Sequence, residues 1–273
     1  MATHTNSSTF SKQGTAVITG ASTGIGAVYA HRFAKRGYDV LLVARDQNRL
    51  TALAEEITTA TGRKAEVLAA DLTLKADLHR VETRLRSDDT LTALVNNAGF
   101  GATSKLIDSD VDDLENMIQL NVTALTRLTS AILPGLIERG TGLIINIASI
   151  VAVSPELLNG VYGGTKAFVV ALTQSLHNEV KDKGITVQAV LPGATSTEFW
   201  DRAKLPVHNL PAEIVMTADE MVDASLAGLD QGELITIPSL PELDDWKKFE
   251  EARKALGPNL SRKHSALRYG VGA

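Results

Sequence analysis

The chain has 273 residues, 44% of them hydrophobic, and a formal net charge of −5 at pH 7. This length fits one large α/β domain with a substantial core, and the acidic balance argues against a nucleic-acid partner held by bulk electrostatics. The sequence has no cysteine, which excludes disulfides, thiolate metal sites and a cysteine nucleophile. We expect no metal site. The lack of cysteine is compatible with a reducing compartment, and we expect a cytoplasmic protein.

Residues 1–12 are polar and rich in serine and threonine. They lack the apolar core of a signal peptide, and we expect them to form a flexible leader. The sequence has no apolar run of about 18 residues, the length that indicates a transmembrane helix. We therefore expect no membrane partner.

The first predicted strand, residues 15–18, is followed by a glycine-rich turn and a helix over residues 27–36. Gly20, Gly24 and Gly26 lie in that turn. Such glycines allow a tight turn, let a pyrophosphate approach the backbone and let the helix pack close to the sheet. Free N–H groups at the helix N-terminus would bind the phosphates. The turn predicts a dinucleotide site, and the alternative is a merely tight turn.

The second predicted strand, residues 39–44, ends at Arg45. At this place an acidic residue would bind the ribose 2′-hydroxyl of NAD, whereas an arginine accommodates the 2′-phosphate of NADP. Arg45 therefore favours NADP, unless it is a plain surface residue. Asp46 complicates this interpretation, but we favour it as the N-cap of the helix that begins at Gln47.

Strands and helices alternate along the chain. Predicted strands cover residues 15–18, 39–44, 65–70, 91–95, 142–148, 185–191 and 234–237, and most of them are followed by a helix. This alternation predicts a doubly wound parallel α/β sheet of about seven strands with helices on both faces. In such a sheet, ligands bind at the carboxyl ends of the strands.

Polar residues follow two more strands. Asp71 comes after the third strand, where it is near the adenine or caps the next helix. Asn97 and Gly99 follow the fourth strand and would bring polar backbone close to a cofactor, although both are also common turn residues. Asn121 lies inside a long predicted helix, residues 111–138. Asparagine is a mediocre helix former, so we expect it to hold a water molecule, kink the helix or bond to local backbone.

Ser149 follows the strand at residues 142–148, and a helix begins near Tyr162. Tyr162 and Lys166 are four residues apart and share a helix face. A nearby cation lowers the pKa of a tyrosine hydroxyl, so this pair is a candidate acid/base device, although such a pair is often plain helix surface. Ser149 could hydrogen-bond a substrate oxygen or simply cap the chain.

The rest of the chain supplies a loop and a tail. Residues 194–217 contain Phe199 and Trp200 without a clear periodicity, and we predict a substrate-covering loop with short helical turns. Its apolar side chains favour a hydrophobic substrate. We place the catalytic domain at residues 13–257, with a final helix near residues 241–256 and a C-terminal tail over 258–273.

These motifs together resemble the short-chain dehydrogenase/reductase (SDR) family over roughly residues 12–240. The resemblance rests on the order and spacing of Thr19-Gly20-x-x-x-Gly24-Ile25-Gly26, Asp71, Asn96-Asn97-Ala98-Gly99, Asn121, Ser149, Tyr162-x-x-x-Lys166 and Pro192-Gly193-x-x-x-Thr197. It implies a single Rossmann-type fold and a homo-oligomer, most often a dimer or tetramer. One departure is Gly163-Gly164, since two glycines should weaken the first helical turn.

The resemblance also implies roles for individual residues. Tyr162 is the general acid/base, Lys166 lowers its pKa and holds the nicotinamide ribose, Ser149 orients the substrate carbonyl, and Asn121 keeps a proton-relay water. Phe199 and Trp200 join Ser149 and Tyr162 as expected substrate contacts. The expected NADP-binding residues are Gly20, Ser22, Thr23, Gly24, Ile25, Gly26, Arg45, Asp71, Leu72, Asn97, Ala98, Gly99, Tyr162, Lys166, Pro192, Gly193, Thr195 and Thr197.

The activity that this implies is reversible hydride transfer between NADPH and a small-molecule ketone or aldehyde. Alternatives are reduction of a 3-ketoacyl thioester and a non-catalytic NADP-binding regulator. Epimerisation or dehydration of a nucleotide-linked sugar is a further alternative, although such relatives are usually longer and have a different glycine spacing.

Overall fold

The computed structural model describes residues 14–203 and 205–271. The predicted leader at residues 1–12 lies outside them. By internal contacts the chain divides into a unit that ends at Pro238 and a second unit that begins at Ser239. The domain limits at residues 13 and 257 stay predictions.

The described strands are short and mostly buried. They are β1 (Thr15–Thr19), β2 (Asp39–Ala44), β3 (Ala65–Ala69), β4 (Leu91–Asn96), β5 (Gly142–Ile147), β6 (Ile185–Val190), β7 (Thr195–Ser196), β8 (Met216–Thr217) and β9 (Ile235–Thr236). Seven of them form one parallel sheet in the order β3-β2-β1-β4-β5-β6-β9, while β7 pairs with β8. This confirms the predicted sheet. The strand order reverses direction between β1 and β4, so the binding crevice of the fold lies at the carboxyl ends of these strands.

Helices of the first unit lie on both faces of the sheet, while the last α-helix described belongs to the second unit. The α-helices are α1 (Gly24–Lys35), α2 (Gln47–Thr61), α3 (Lys75–Ser87), α4 (Val111–Ile118), α5 (Leu125–Arg139), α6 (Gly160–Val180), α7 (Phe199–Arg202), α8 (Ala218–Asp230) and α9 (Leu243–Ala255). Side chains alternate along each strand, so Ile18 packs with α1, α2 and α8 while Val17 packs with α3, α5 and α6. Burial on both faces explains why the strands are nearly continuous apolar runs.

A buried polar ladder fixes two helices against the sheet. Asn96 Nδ2 on β4 donates to Thr129 Oγ1 of α5 and to Asn146 Oδ1 of β5, each at 2.9 Å. Asn146 Nδ2 donates at 2.9 Å to Thr173 Oγ1 of α6. Buried amides stabilise a fold only when they are hydrogen-bonded, so these bonds set the position of α6, the helix of Tyr162 and Lys166.

The predicted long helix is one continuous helical stretch, Val111–Arg139, with a π-helical turn at Gln119–Ala124. By length and a mean hydropathy of 1.3 this stretch could cross a membrane. It packs into the core, however, and its Arg127 pairs with the buried Glu82 of α3. Burial in the core therefore accounts for part of its apolar composition, since 44% of its most apolar segment is buried.

Candidate active site

The glycine-rich turn between β1 and α1 is clamped to the end of β4. Asn97 Nδ2 donates to the carbonyl oxygens of Thr19 at 2.9 Å and Gly20 at 3.2 Å. Gly20 has φ +64°, and a Cβ there would lie 2.8 Å from Asn97 Nδ2. Thr19 Oγ1 accepts from the backbone N–H groups of Asn97 at 2.9 Å and Ala98 at 3.0 Å. These contacts place the expected cofactor residues of both segments side by side.

The N-terminus of α1 fits a dinucleotide pyrophosphate. Asp46, Asp110, Asn159 and Thr217 cap the helices α2, α4, α6 and α8 through their side chains. Within the described residues no side chain caps α1, as is also true of α3, α7 and α9, but only these other three hold an acidic residue in the first turn. The free N–H groups of α1 can therefore donate hydrogen bonds to a phosphate. A Cβ at Gly26 would collide with the Gly20 carbonyl oxygen, so glycine is required for this turn to form.

The adenosine end of the crevice lies after β2 and β3. The Arg45 side chain is 67% exposed, and its Nη1 lies 3.8 Å from Asp71 Oδ2. Asp46 accepts from Arg49 N at 3.0 Å, which confirms that it caps α2. Asp71 does not cap α3 but accepts from Thr73 N and Oγ1. The exposed guanidinium of Arg45 fits the 2′-phosphate of NADP.

Asn121 lies in the π-helical turn and binds two other segments. Its Oδ1 accepts from Phe100 N at 3.1 Å, and its Nδ2 donates to Phe100 O at 2.9 Å and Thr165 Oγ1 at 3.1 Å. A Cβ at Gly99 would lie 2.9 Å from Asn121 Oδ1, so glycine makes room for the amide. The side chain thus holds the Asn97–Phe100 turn against α6, and a relay water at Asn121 stays a prediction.

Ser149 lies two residues after β5 and is 8% exposed. Its hydroxyl accepts from Val151 N at 3.3 Å and lies 3.4 Å from the Pro192 carbonyl oxygen. It also hydrogen-bonds the Tyr162 hydroxyl. Ser149 therefore caps the following 3₁₀ turn, Ile150–Ala152, and also reaches the candidate general acid.

Tyr162 and Lys166 lie in the first turns of α6, 6% exposed each. Asn159 caps this helix by accepting from Val161 N at 2.9 Å and Tyr162 N at 3.4 Å. Lys166 Nζ donates to the Ile147 carbonyl oxygen at 2.8 Å and lies 5.8 Å from the Tyr162 ring centroid. The helix thus brings the ammonium and the phenol into one buried space.

Burial shifts the pKa values of both Tyr162 and Lys166, and a lowering of the Tyr162 pKa by Lys166 stays a prediction. Burial raises the Tyr162 pKa to about 12, and the neighbour that lowers it is the Ser149 hydroxyl. Burial also lowers the pKa of Lys166 to about 8. Desolvation disfavours the charged form of each group. Tyr162 is therefore fully protonated at neutral pH and ready to act as an acid.

Apolar side chains surround Tyr162. It shares a buried cluster with Leu114, Met117 and Val151, and Phe199 packs against that cluster. The Phe199 ring lies 5.8 Å from the Tyr162 ring and 5.3 Å from the Trp200 ring.

The two expected aromatic contacts differ in their surroundings. Trp200 is 7% exposed and donates its Nε1 hydrogen to the Thr195 carbonyl oxygen at 2.9 Å. Trp200 thus holds the loop through this bond, while Phe199 packs against Tyr162. A substrate contact of either ring stays a prediction.

The other expected cofactor residues lie around the same crevice. Ser22, Thr23 and Ile25 are half-buried in the turn and first helical turn of α1, and Thr197 approaches that turn at Gly24. Pro192, Gly193 and Thr195 follow β6. The Leu72 side chain is buried in the core, so a cofactor would meet its backbone.

Several contacts were not predicted. The Thr19 hydroxyl orients the turn after β4 by accepting from Asn97 N. The Thr165 hydroxyl fixes the Asn121 amide by accepting from its Nδ2. Thr165 could have been suspected because it lies between Tyr162 and Lys166 and faces inward from α6. An ion pair between Arg49 and Glu198 joins α2 to the loop. Because 149 residues separate these two, the sequence pattern holds no signal for their contact.

Comparison with known proteins agrees with this arrangement. The sequence model of the short chain dehydrogenase family matches residues 14–206. A short-chain dehydrogenase from Sphingobium yanoikuyae, solved in complex with NADPH, is 48% identical with a TM-score of 0.90, over 93% of this chain and 98% of that one. The bulky-bulky ketone specific alcohol dehydrogenase from Comamonas testosteroni is 43% identical with a TM-score of 0.86, over 94% and 98%.

A more distant relative is the very-long-chain 3-oxoacyl-CoA reductase from Anas platyrhynchos, 38% identical over 189 residues. That match covers 67% of this chain but only 60% of the reductase. The family match spans most of the unit in which the glycine-rich turn, Ser149, Tyr162 and Lys166 converge. The chain belongs to the short-chain dehydrogenase family of oxidoreductases.

Proposed function

We propose that the protein is an NADPH-dependent carbonyl reductase, and in reverse an alcohol dehydrogenase, for hydrophobic ketones or aldehydes. The observation that supports this most strongly is the buried Tyr162 hydroxyl, hydrogen-bonded to Ser149 within an apolar cluster at the crevice of the sheet. The group that would donate the proton is thus held where an apolar carbonyl compound would bind.

The fit of the chain to NADPH supports the cofactor. The uncapped start of α1 would hold the pyrophosphate, and Arg45 would hold the 2′-phosphate. Lys166 and Tyr162 would contact the nicotinamide ribose, by the resemblance to the family. The similar Sphingobium yanoikuyae structure contains NADPH. When bound, the cofactor supplies the hydride.

Tyr162 and Ser149 bind the substrate oxygen, and Tyr162 supplies its proton. Tyr162 gives its hydroxyl proton to the carbonyl oxygen as that oxygen becomes an alkoxide, and Ser149 hydrogen-bonds the same atom. The buried Lys166 ammonium stabilises the phenolate that the transfer leaves behind. In alcohol oxidation the proton returns to Tyr162.

The substrate class follows from the side chains around the tyrosine. Leu114, Met117 and Val151 are buried around Tyr162. The half-buried side chains packed against them are all apolar, which suits an aryl or bulky alkyl ketone better than a sugar; they are Phe100, Ala102, Leu158, Val161 and Phe199. The likeness to the bulky-bulky ketone specific enzyme supports this choice. A 3-oxoacyl thioester is the second candidate, supported by the relative from Anas platyrhynchos.

The test measures NADPH and NADH oxidation against a panel of diaryl ketones, alkyl aryl ketones, aldehydes and 3-oxoacyl thioesters. We expect turnover with NADPH and the highest kcat/KM for ketones with two bulky groups. A preference for the thioesters would support the second candidate. Failure to bind either cofactor would refute the proposal.

A further inference from the structure

An ion pair connects the helix after β2 to the start of the substrate loop. Arg49 Nη1 donates to both carboxylate oxygens of Glu198, at 2.8 Å and 2.9 Å. The two residues are 149 positions apart in the sequence, and their side chains are 49% and 45% exposed. The bond therefore ties two distant segments together at the surface of the crevice.

Each end of this pair is attached to part of the site. Arg49 lies in the first turn of α2, where its backbone N–H binds Asp46. Glu198 lies in residues 195–202, which we call the loop base. The residue before Glu198, Thr197, approaches the glycine-rich turn: a Cβ at Gly24 would lie 3.0 Å from Thr197 Cγ2. The residue after it, Phe199, packs its ring on Tyr162.

We propose that Arg49 and Glu198 are positioning residues whose ion pair holds the loop base against the glycine-rich turn and against Tyr162. This inference rests on the proposed function, because it assigns to the pair a role in retaining NADPH and in shaping the substrate site. Without the ion pair, the loop-base residues on both sides of Glu198 become more mobile. The contacts of Thr197 near the cofactor and of Phe199 near the substrate are then weakened together.

A different role for Arg49 would be direct binding of the 2′-phosphate beside Arg45. The contacts favour the positioning role. Arg49 already faces two carboxylates, Glu198 and, at 3.5 Å from its Nε, Asp46. Arg45 is more exposed, and its nearest carboxylate, Asp71, is 3.8 Å away. A phosphate would have to displace Glu198 to use Arg49, whereas Arg45 is open to it.

The two roles predict opposite effects of Glu198→Gln. If the pair positions the loop base, Glu198→Gln and Arg49→Gln both accelerate release of NADPH and of NADH, by similar factors. If Arg49 binds the phosphate, Glu198→Gln removes a competitor and slows NADPH release, while Arg49→Gln affects NADPH alone. Exposed ion pairs contribute little, so we expect changes of up to about fivefold. High salt screens such pairs, so the difference from wild type should shrink as salt rises.

The experiment measures dissociation rates of NADPH and NADH by stopped-flow nucleotide fluorescence for wild type, Glu198→Gln, Arg49→Gln and the double variant. The charge-swapped protein, Arg49→Glu with Glu198→Arg, tests rescue. Asp223→Asn is the matched control, because it breaks a similar ion pair with Arg32 (2.6 Å) between α1 and α8. Hydrogen exchange of the loop-base amides in the cofactor-free protein gives a second readout.

We expect both single variants to release both nucleotides faster and to show faster amide exchange in the loop base. The double variant should be no worse than either single one, and Asp223→Asn should match wild type. The swap should restore slow release only in part, because it places a negative charge beside Asp46 and a positive charge beside Arg202. Slower NADPH release in Glu198→Gln, or unchanged release and exchange in both variants, would overturn the inference. If wild type binds neither nucleotide, the proposed function fails, and the exchange measurement alone decides whether the pair holds the loop base.

Discussion

Lys166 Nζ donates a hydrogen bond at 2.8 Å to the carbonyl oxygen of Ile147, the last residue of β5. This bond joins α6 to the strand that leads to Ser149. It also leaves an ammonium group buried, and burial lowers the pKa of Lys166 to about 8. The position of the lysine is therefore maintained at an energetic cost that depends on pH.

Replacing Lys166 by methionine should reveal this cost in the cofactor-free protein. Below pH 8 the lysine is charged in both the folded and the unfolded chain, and the desolvation cost is present in full. Between pH 8 and its ordinary value of 10.5 the folded lysine loses its proton first, so wild-type stability rises relative to Lys166→Met. The unfolding free energy of the variant minus that of wild type should fall by about 3 kcal/mol across this window.

Chemical denaturation at a series of pH values measures this difference. Lys181→Met, at the exposed end of the same helix, serves as the control. A difference that stays constant with pH for Lys166→Met would show that the buried lysine is not destabilised by its charge.

Asn121 should matter for stability as well as for turnover. Asn121→Ala removes both bonds to the Phe100 backbone and the bond to Thr165, and it leaves buried polar groups without partners. We expect a loss of about 2–3 kcal/mol in unfolding free energy, measured by urea denaturation, together with a large fall in kcat. Asn178→Ala on the exposed face of α6 should change stability by at most about 0.5 kcal/mol. Equal stability of the two variants would contradict the role of Asn121 in holding the Asn97–Phe100 turn against α6.

The two glycines between Tyr162 and Lys166 should respond differently to substitution. Gly164 is exposed, and within the described part of the chain no atom lies within 4 Å of a Cβ added there. Gly164→Ala should therefore raise the unfolding free energy by about 0.5–1 kcal/mol, because alanine favours helix over glycine.

A Cβ at Gly163, by contrast, would lie 3.2 Å from Pro155 Cβ. Gly163→Ala should therefore stabilise the protein less than Gly164→Ala, or destabilise it. Thermal unfolding gives the Tm of both variants. A higher Tm for Gly163→Ala than for Gly164→Ala would contradict the close packing of Gly163 against Pro155.

Arg45 should discriminate between the two nicotinamide cofactors. Its guanidinium is exposed at the end of β2, and charge-assisted bonds to a phosphate contribute about 1.5–3 kcal/mol. Arg45→Ala should raise the KM for NADPH by roughly 10- to 100-fold, with little change in the KM for NADH. Steady-state kinetics with both cofactors provides the internal control, and equal effects on the two would remove the basis for NADP selectivity.

Much of the fold was predictable because local pattern and tertiary packing agree. The helix α2 has the predicted limits, Gln47–Thr61, since its Asp46 cap and its apolar period both mark them. The strand β9 is shorter than predicted, Ile235–Thr236, and pairs with β6 at the end of the sheet. The spacing of Ser149, Tyr162 and Lys166 was sufficient to expect their convergence, because strand ends and helix starts meet at one edge of a parallel sheet.

The electrostatics of the site were not predictable in the same way. The pKa of Tyr162 depends on how deeply the ring is buried, and that depends on Met117, Val151 and Phe199 from three other segments. The Lys166 bond to Ile147 and the ion pair of Arg49 with Glu198 likewise join residues distant in sequence. Spacing along the chain fixes none of these distances. The cytoplasmic location and the homo-oligomer stay predictions.

The most direct test of the account compares wild type with Tyr162→Phe. The measurement is NADPH consumption, followed by the absorbance of the reduced nicotinamide, with the best bulky ketone of the panel, alongside the NADPH dissociation constant of both proteins. The phenylalanine keeps the ring in its apolar cluster but removes the hydroxyl that binds Ser149. We predict that turnover falls to background while the NADPH dissociation constant changes by only a few fold. Near-normal turnover by Tyr162→Phe would contradict the assignment of Tyr162 as the proton donor.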